Sequence, residues 1–237
     1  MNLRKRRQFQ GIFTGIILGI GVAPLTAHAQ TEEIVPYDKV QVPEKVMAAL
    51  DAARAGKEIW KPKFKSVSYT VVTSDSRLPG SDLAYRIDLQ SQANGLLRAN
   101  ESFGADKFQK LSFGHLFSLK VQGNYESGMT TTSQTTLLVG SLPNRLEIGT
   151  SFSIYTESVR LPKNEKLPTN TSTLSCKVED IYAANTIYPA LTGNAIEMDC
   201  YGTRIFLEDL GIALSLPTRS ETKNYLRSKI VRFEVEK

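Results

Sequence analysis

From Phe64 onward the apolar residues recur with a period of two, and that alternation constrains the fold more than anything else in the chain. Leu83, Tyr85, Ile87 and Leu89 alternate with Ala84, Arg86, Asp88 and Gln90. Successive strand residues point to opposite faces, so this pattern describes a half-buried β-strand. Residues 64–73 are rich in β-branched side chains, and further strands are expected at 96–103, 107–113, 116–126, 130–139 and 150–160. Ser74-Asp75-Ser76, Leu78-Pro79-Gly80-Ser81 and Asn94-Gly95 supply turns between them. Arg204 to Leu207 and Ile212 to Leu216 read as a hairpin about Asp209-Leu210-Gly211, and Val231, Phe233 and Val235 alternate in a last strand. Short strands joined by short turns imply antiparallel meanders.

One segment breaks the period. Pro43 suits a helix start, where its missing N–H costs nothing, and Glu44 favours the positive end of the helix dipole. Val46, Leu50 and Ala53 then recur at i, i+4 and i+7, and Gly56 supplies a stop. The expected fold class is all-β: an antiparallel β-sandwich or curved open barrel of about ten strands, with one short N-terminal helix.

The domain layout begins with residues 1–29, which have the form of a cleavable signal peptide. Arg4, Lys5, Arg6 and Arg7 precede an uncharged apolar stretch, and Ala27-His28-Ala29 places small residues before a cut between Ala29 and Gln30. The stretch is interrupted by Gly11, Gly15, Gly19, Gly21 and Pro24 and falls short of the roughly 20 apolar residues of a spanning helix. The general secretory route is expected. Arg6-Arg7-Gln8-Phe9 also resembles a twin-arginine address, although Lys5 and Gln10 depart from the fuller pattern. Residues 30–42 are expected to form an extended tether, and 43–237 a β-rich domain with a possible sub-boundary near 141–144. The polar, proline-containing stretch 161–173 reads as the longest loop.

Charge narrows the partners. The whole chain carries 29 basic and 24 acidic residues, and removal of the leader leaves 25 against 24, a net charge of +1. A nucleic-acid binder needs a basic excess that neutralises phosphates, and none is present. The missing apolar last residue and the charged strands also argue against an outer-membrane barrel. No integral membrane span is expected after cleavage.

Cys176 and Cys200 form an even pair whose spacing fits neither a redox motif nor a zinc site, so a disulfide is expected. Their midpoint, residue 188, falls beside Tyr188-Pro189 and before Gly193-Asn194, which places a hairpin loop between them. With Cys176 facing Cys200, Val178 faces Met198, Asp180 faces Ile196 and Lys177 faces Asp199. Glu179 would then oppose Glu197, an unfavourable pair that invites a bulge or a shift of register.

Groups for chemistry are sparse. His115 is the only histidine after the leader, which excludes multi-histidine metal sites and leaves a serine triad without an identifiable partner. Ser220-Glu221-Thr222-Lys223 matches Ser-x-x-Lys but lacks its companion motif and reads as a solvated loop. Glu179-Asp180 and Glu208-Asp209 are neighbours that point to opposite faces of a strand. Asp75, Asp88 and Asp199 would act only if the fold brought them together. No catalytic, metal or cofactor site is assigned. Phe103, Phe108, Phe113, Phe117, Tyr125, Phe152 and Tyr155 are expected mainly in the core, where some could line a cavity between a curved sheet and the helix. The expected function is a non-catalytic periplasmic binding or carrier protein for an apolar or envelope-derived ligand. An envelope accessory or protein-interaction module is the alternative, and a hydrolase using carboxylates the second alternative.

Overall fold

The computed structural model describes residues 34–75, 77, 80, 82–163, 168–215 and 226–237. The one α-helix among them, α1 (Glu44–Arg54), begins after Pro43 and buries Val46, Leu50 and Ala53 along a single face. Gly56, with φ of 70°, then turns the chain away at a backbone conformation that costs glycine little.

Among the described residues, twelve strands follow in one antiparallel sheet. They are β1 (Ser66–Asp75), β2 (Leu83–Ser91), β3 (Leu97–Phe103), β4 (Asp106–Phe113), β5 (Phe117–Asn124), β6 (Thr130–Gly140), β7 (Ser151–Leu161), β8 (Asn170–Ala183), β9 (Asn194–Asp199), β10 (Thr203–Leu207), β11 (Ile212–Ser215) and β12 (Leu226–Glu236). Strands β1 to β11 form an uninterrupted meander, and β12 lies on the far side of β1. The sheet does not close, because β11 and β12 form its two ends. This is the open form of the expected curved barrel, with two more strands than the sequence suggests. Strands β6 and β7 pair across 141–144, and Leu142 and Leu146 enter the core there.

Register shifts at Thr70/Val71, Leu111/Ser112, Thr135/Leu137 and Val178/Asp180 bend the strands that carry them. The bent sheet brings its own ends together. Tyr69, Val71, Ile87, Leu89, Ile230 and Phe233, from β1, β2 and β12, share one core with Ile205, Leu207, Ile212 and Leu214. Phe206 and Ala213 face the other way, into a second core with Trp60, Phe113, Phe152, Ile196 and Met198. Strands β10 and β11 are therefore covered on both faces. That explains why Ile205-Phe206-Leu207 and Ile212-Ala213-Leu214 run apolar without alternation, as doubly buried strands do.

Trp60 anchors the second core. Its ring lies 4.9 Å from that of Phe206, 5.6 Å from Phe152 and 6.2 Å from Phe113, and its indole N–H donates to the Pro143 carbonyl at 2.9 Å. The indole's polar atom is thus satisfied at full burial.

The described part of the expected tether runs from Ile34 to Val42 and contains a short 3-10 turn, Tyr37–Lys39. Tyr37 and Val40 are buried. Lys120 of β5 donates to the carbonyls of Tyr37 and Val40 at 3.0 and 2.9 Å, and Thr132 of β6 donates to Val35 at 2.9 Å. Side chains of the sheet thereby satisfy the carbonyls of a segment that has no ladder of its own.

Cys176 and Cys200 are joined by a disulfide across the expected hairpin. Lys177 pairs with Asp199 and Val178 with Met198, and the register then shifts so that Asp180 meets Glu197 and Ile181 meets Ile196. The shift falls where two glutamates would otherwise have faced one another. Glu179 turns instead to accept a hydrogen bond from Lys177 at 2.9 Å. The expected loop over 161–173 is shorter than the sequence implies: β7 extends to Leu161 and β8 starts at Asn170, because Thr171 and Thr173 favour extended backbone.

Two outcomes test these contacts. The cysteines lie 24 residues apart, and a crosslink closing a loop of that order contributes about 3–4 kcal/mol through the unfolded chain. Cys176→Ser or Cys200→Ser should therefore lower Tm by about 10 °C for a domain of this size. Calorimetry with and without reductant checks this, and equal melting would show that the bridge contributes nothing. Trp60→Ala should cost about 3–5 kcal/mol in urea unfolding, the range for deleting a buried large aromatic.

Candidate functional site

The curled sheet does not fill its own interior. A cavity of about 910 Å³, open on one side, lies between the two flanks of the sheet, with walls drawn from β1, β2, β3, β4, β5, β7, β8 and β10 and from the β4–β5 and β9–β10 turns. Its apolar wall includes Val71, Ile87, Leu116, Phe117, Ile154 and Leu174. Buried Tyr69 and Ile154 mark the deep end, whereas the rim carries Leu83, Tyr85 and Tyr201, all exposed. Tyr201, with φ of 58°, stands out from the β9–β10 turn one residue after the disulfide. The bridge thus fixes to β8 the turn that forms one lip of the opening.

Among the described residues no side chain of α1 lines this cavity. The sequence placed a cavity between sheet and helix, whereas α1 packs through Val46 and Leu50 into the core that also holds Leu116 and Ile154 of the cavity wall. Of the seven aromatics singled out in the sequence, Phe113 and Phe152 are buried core and Phe117 lines the cavity. Phe103 stacks on Tyr85 at the rim, and Phe108 meets Tyr125 edge-on.

A polar cluster occupies one wall. Glu101 of β3 lies on the same strand face as buried Leu97 and Ala99, where an apolar residue would be expected. Lys110, opposite Ala99 on β4, reaches diagonally to donate to Glu101 Oε2 at 2.6 Å. His115 follows from the β4–β5 turn, held at φ of 59° beside Gly114 at 55°. Its Nε2 lies 3.0 Å from Glu101 Oε1, and its Nδ1 lies 3.0 Å from the Ala213 carbonyl of β11 and 3.5 Å from the Tyr69 hydroxyl. Ala213 N–H in turn donates to the Gly114 carbonyl at 2.8 Å. The turn that carries His115 therefore also covers the outer edge of strand β11.

Burial alone would raise the Glu101 carboxyl. The hydrogen bond from His115, the charge on that ring and the Lys110 ammonium outweigh it and hold the carboxyl down at about 2. Glu101 is a carboxylate at neutral pH. Burial, and then the Glu101 charge, push the Tyr69 phenol well above its usual range, so Tyr69 remains a neutral hydroxyl.

This arrangement bears on catalysis. A histidine that takes a proton from serine needs one ring nitrogen directed at the hydroxyl. Both nitrogens of His115 face other oxygens, and buried Ser112 on the cavity wall meets the Leu97 carbonyl at 3.5 Å. The carboxylates picked from the sequence stay dispersed. Asp88 is held by Ser68 and Arg86, Asp180 accepts from the Ile181 N–H, Glu208 accepts from Asn194, and Asp209 from Thr192. Asp199 pairs in register with Lys177. Among the described residues Glu101 is the one acid on the cavity wall, and no group of three or more His, Cys, Asp or Glu side chains is placed to hold a metal ion. The Asp75 side chain, residues 1–33 and the Ser-x-x-Lys stretch lie outside the described residues.

No protein-family model, no curated protein and no solved structure matches the chain.

The depressed Glu101 carboxyl links stability to pH with a definite sign. A group whose folded pKa lies below its unfolded value stabilises above the unfolded value and loses that contribution as pH falls. The window here runs from 4.5 down to about 2, and the contribution is on the order of 3 kcal/mol. Denaturant titrations across that range should show the loss in the wild type. Glu101→Gln should be less stable at neutral pH and should lack this component of the acid limb.

Proposed function

We propose that the protein is an exported, non-catalytic binding or carrier protein that holds an apolar or envelope-derived ligand inside its curled sheet. The observation that carries this reading is the half-open cavity of about 910 Å³ with its apolar wall. That volume lies within the roughly 300–1,000 Å³ typical of small-molecule sites, which are mainly apolar with a few fixed polar groups. A filled core would have left no such space.

Export is supported by two features. The Cys176–Cys200 disulfide belongs to an oxidising compartment, where such bonds persist. The N-terminal sequence has the basic start, the apolar stretch and the Ala-x-Ala site of a cleavable leader, with its cut between Ala29 and Gln30. Both together support a periplasmic location. The commitment of both His115 nitrogens and the dispersal of the carboxylates favour binding over hydrolysis.

The test uses the uncharged fluorescent probe N-phenyl-1-naphthylamine. It should bind the purified protein with a one-site isotherm, and Leu174→Trp, which puts an indole into the cavity, should weaken binding at least tenfold without lowering Tm. Native mass spectrometry of protein isolated from cells should also show a co-purifying small molecule. Probe binding unchanged by Leu174→Trp would defeat the reading.

A further inference from the structure

Among the described residues two that are not glycine take the left-handed backbone conformation, His115 at φ of 59° and Tyr201 at 58°, and both lie on the cavity wall. Positions of this kind collect where a site must be held or must move. His115 has a local reason for its place in the contacts of both ring nitrogens. Tyr201 packs little of its surface, being 82% exposed. Glycine or asparagine would adopt the same turn at lower cost. The fold alone gives no reason for a large ring there.

The backbone beneath that ring is pinned. Cys200 and Thr203 are buried on either side of it. Cys200 is tied to Cys176 of β8, and its N–H donates to the Gly202 carbonyl at 3.0 Å. Asp199 and Thr203 form the strand pair nearest the turn. What remains to move is the ring itself, and exposed side chains turn in picoseconds to nanoseconds. The rest of the apolar rim is different. Tyr85 is held by stacking on Phe103, with ring centroids 4.3 Å apart, and Leu83 precedes it on the same strand, β2. One part of the rim is therefore fixed, and another carries a movable ring.

Closure of that ring is favourable only over an apolar occupant. A phenol folded across the mouth with an apolar body beneath it removes two apolar surfaces from water, while its hydroxyl stays on the water side. Without that body the ring gains no such contact, so occupancy itself biases its position. We propose that Tyr201 is the gate of the cavity: its ring folds over an apolar occupant once the occupant has entered, and slows its release. This rests on the cavity reading above and adds how release is controlled.

Stopped-flow kinetics of N-phenyl-1-naphthylamine with the purified protein test it. Glycine and asparagine both suit the left-handed turn, so neither Tyr201→Gly nor Tyr201→Asn should lower Tm. Each should raise the dissociation rate about tenfold and leave the association rate within about twofold, since lost contacts act mainly on exit. Tyr201→Phe, which keeps the ring, should release the probe at close to the wild-type rate. Unchanged dissociation in both the Gly and Asn variants, with the probe still bound, would overturn the gate and leave the cavity reading standing. Equal rises in both rates would reveal a fixed obstacle and overturn closure after entry. A lower Tm in both variants would show that the ring serves the fold instead. Failure of the wild type to bind the probe would remove the cavity reading and the gate with it.

Discussion

Burial of β10 and β11 on both faces is the constraint from which the rest of the structure follows. A twelve-strand sheet cannot lie flat and cover its apolar face, so it folds back on a ribbon made from its own end. Ile205 and Leu207 fill one side of that ribbon and Phe206 the other. At the start of β10 the ribbon loses its bulk, because the small Gly202 and Thr203 precede its large apolar side chains. The cavity lies at that place. The seam between Ala213 and the Gly114-His115 turn joins the same ribbon to the polar cluster, so core and site share one set of contacts.

That sharing gives the cluster two roles. Glu101, Lys110 and His115 neutralise much of one another's charge, as partly buried ionic groups must. On the proposed carrier reading the same cluster faces the cavity, whose opposite wall is apolar. On that reading, recognition by a fixed polar group and retention by a hydrophobic recess are separate tasks that fall to different strands.

Much of the fold is legible in the sequence. Period-two alternation locates most of the strands, the Val46-Leu50-Ala53 spacing fixes the buried face of α1, and the cysteine midpoint places the hairpin between β8 and β9. The register shift at Glu179 falls where the sequence sets Glu179 against Glu197, although it brings Asp180 to Glu197 instead. The long-range arrangement is not legible: nothing local tells β12 to lie beside β1, since that pairing depends on how far the meander has curled. The site was missed for a different reason. Leu97, Ala99, Glu101 and Phe103 share one strand parity, as do Phe108, Lys110 and Ser112 on the next strand. A charge on an otherwise apolar parity, with an opposite charge diagonal to it across a short turn, is a signal in plain view. It goes unread when charged residues are assigned to solvent by type instead of by face.

The unclosed sheet has a mechanical consequence. In a sealed barrel, strand number and shear set the girth, and widening the lumen means breaking backbone ladder bonds. Here side chains of the two terminal strands, such as Leu214, Ile230 and Phe233, belong to one apolar cluster, so the spacing of the flanks is set by packed hydrocarbon. On the proposed carrier reading, guests of different cross-section can then be accommodated by rotamer changes along that contact, with every rung of the meander intact.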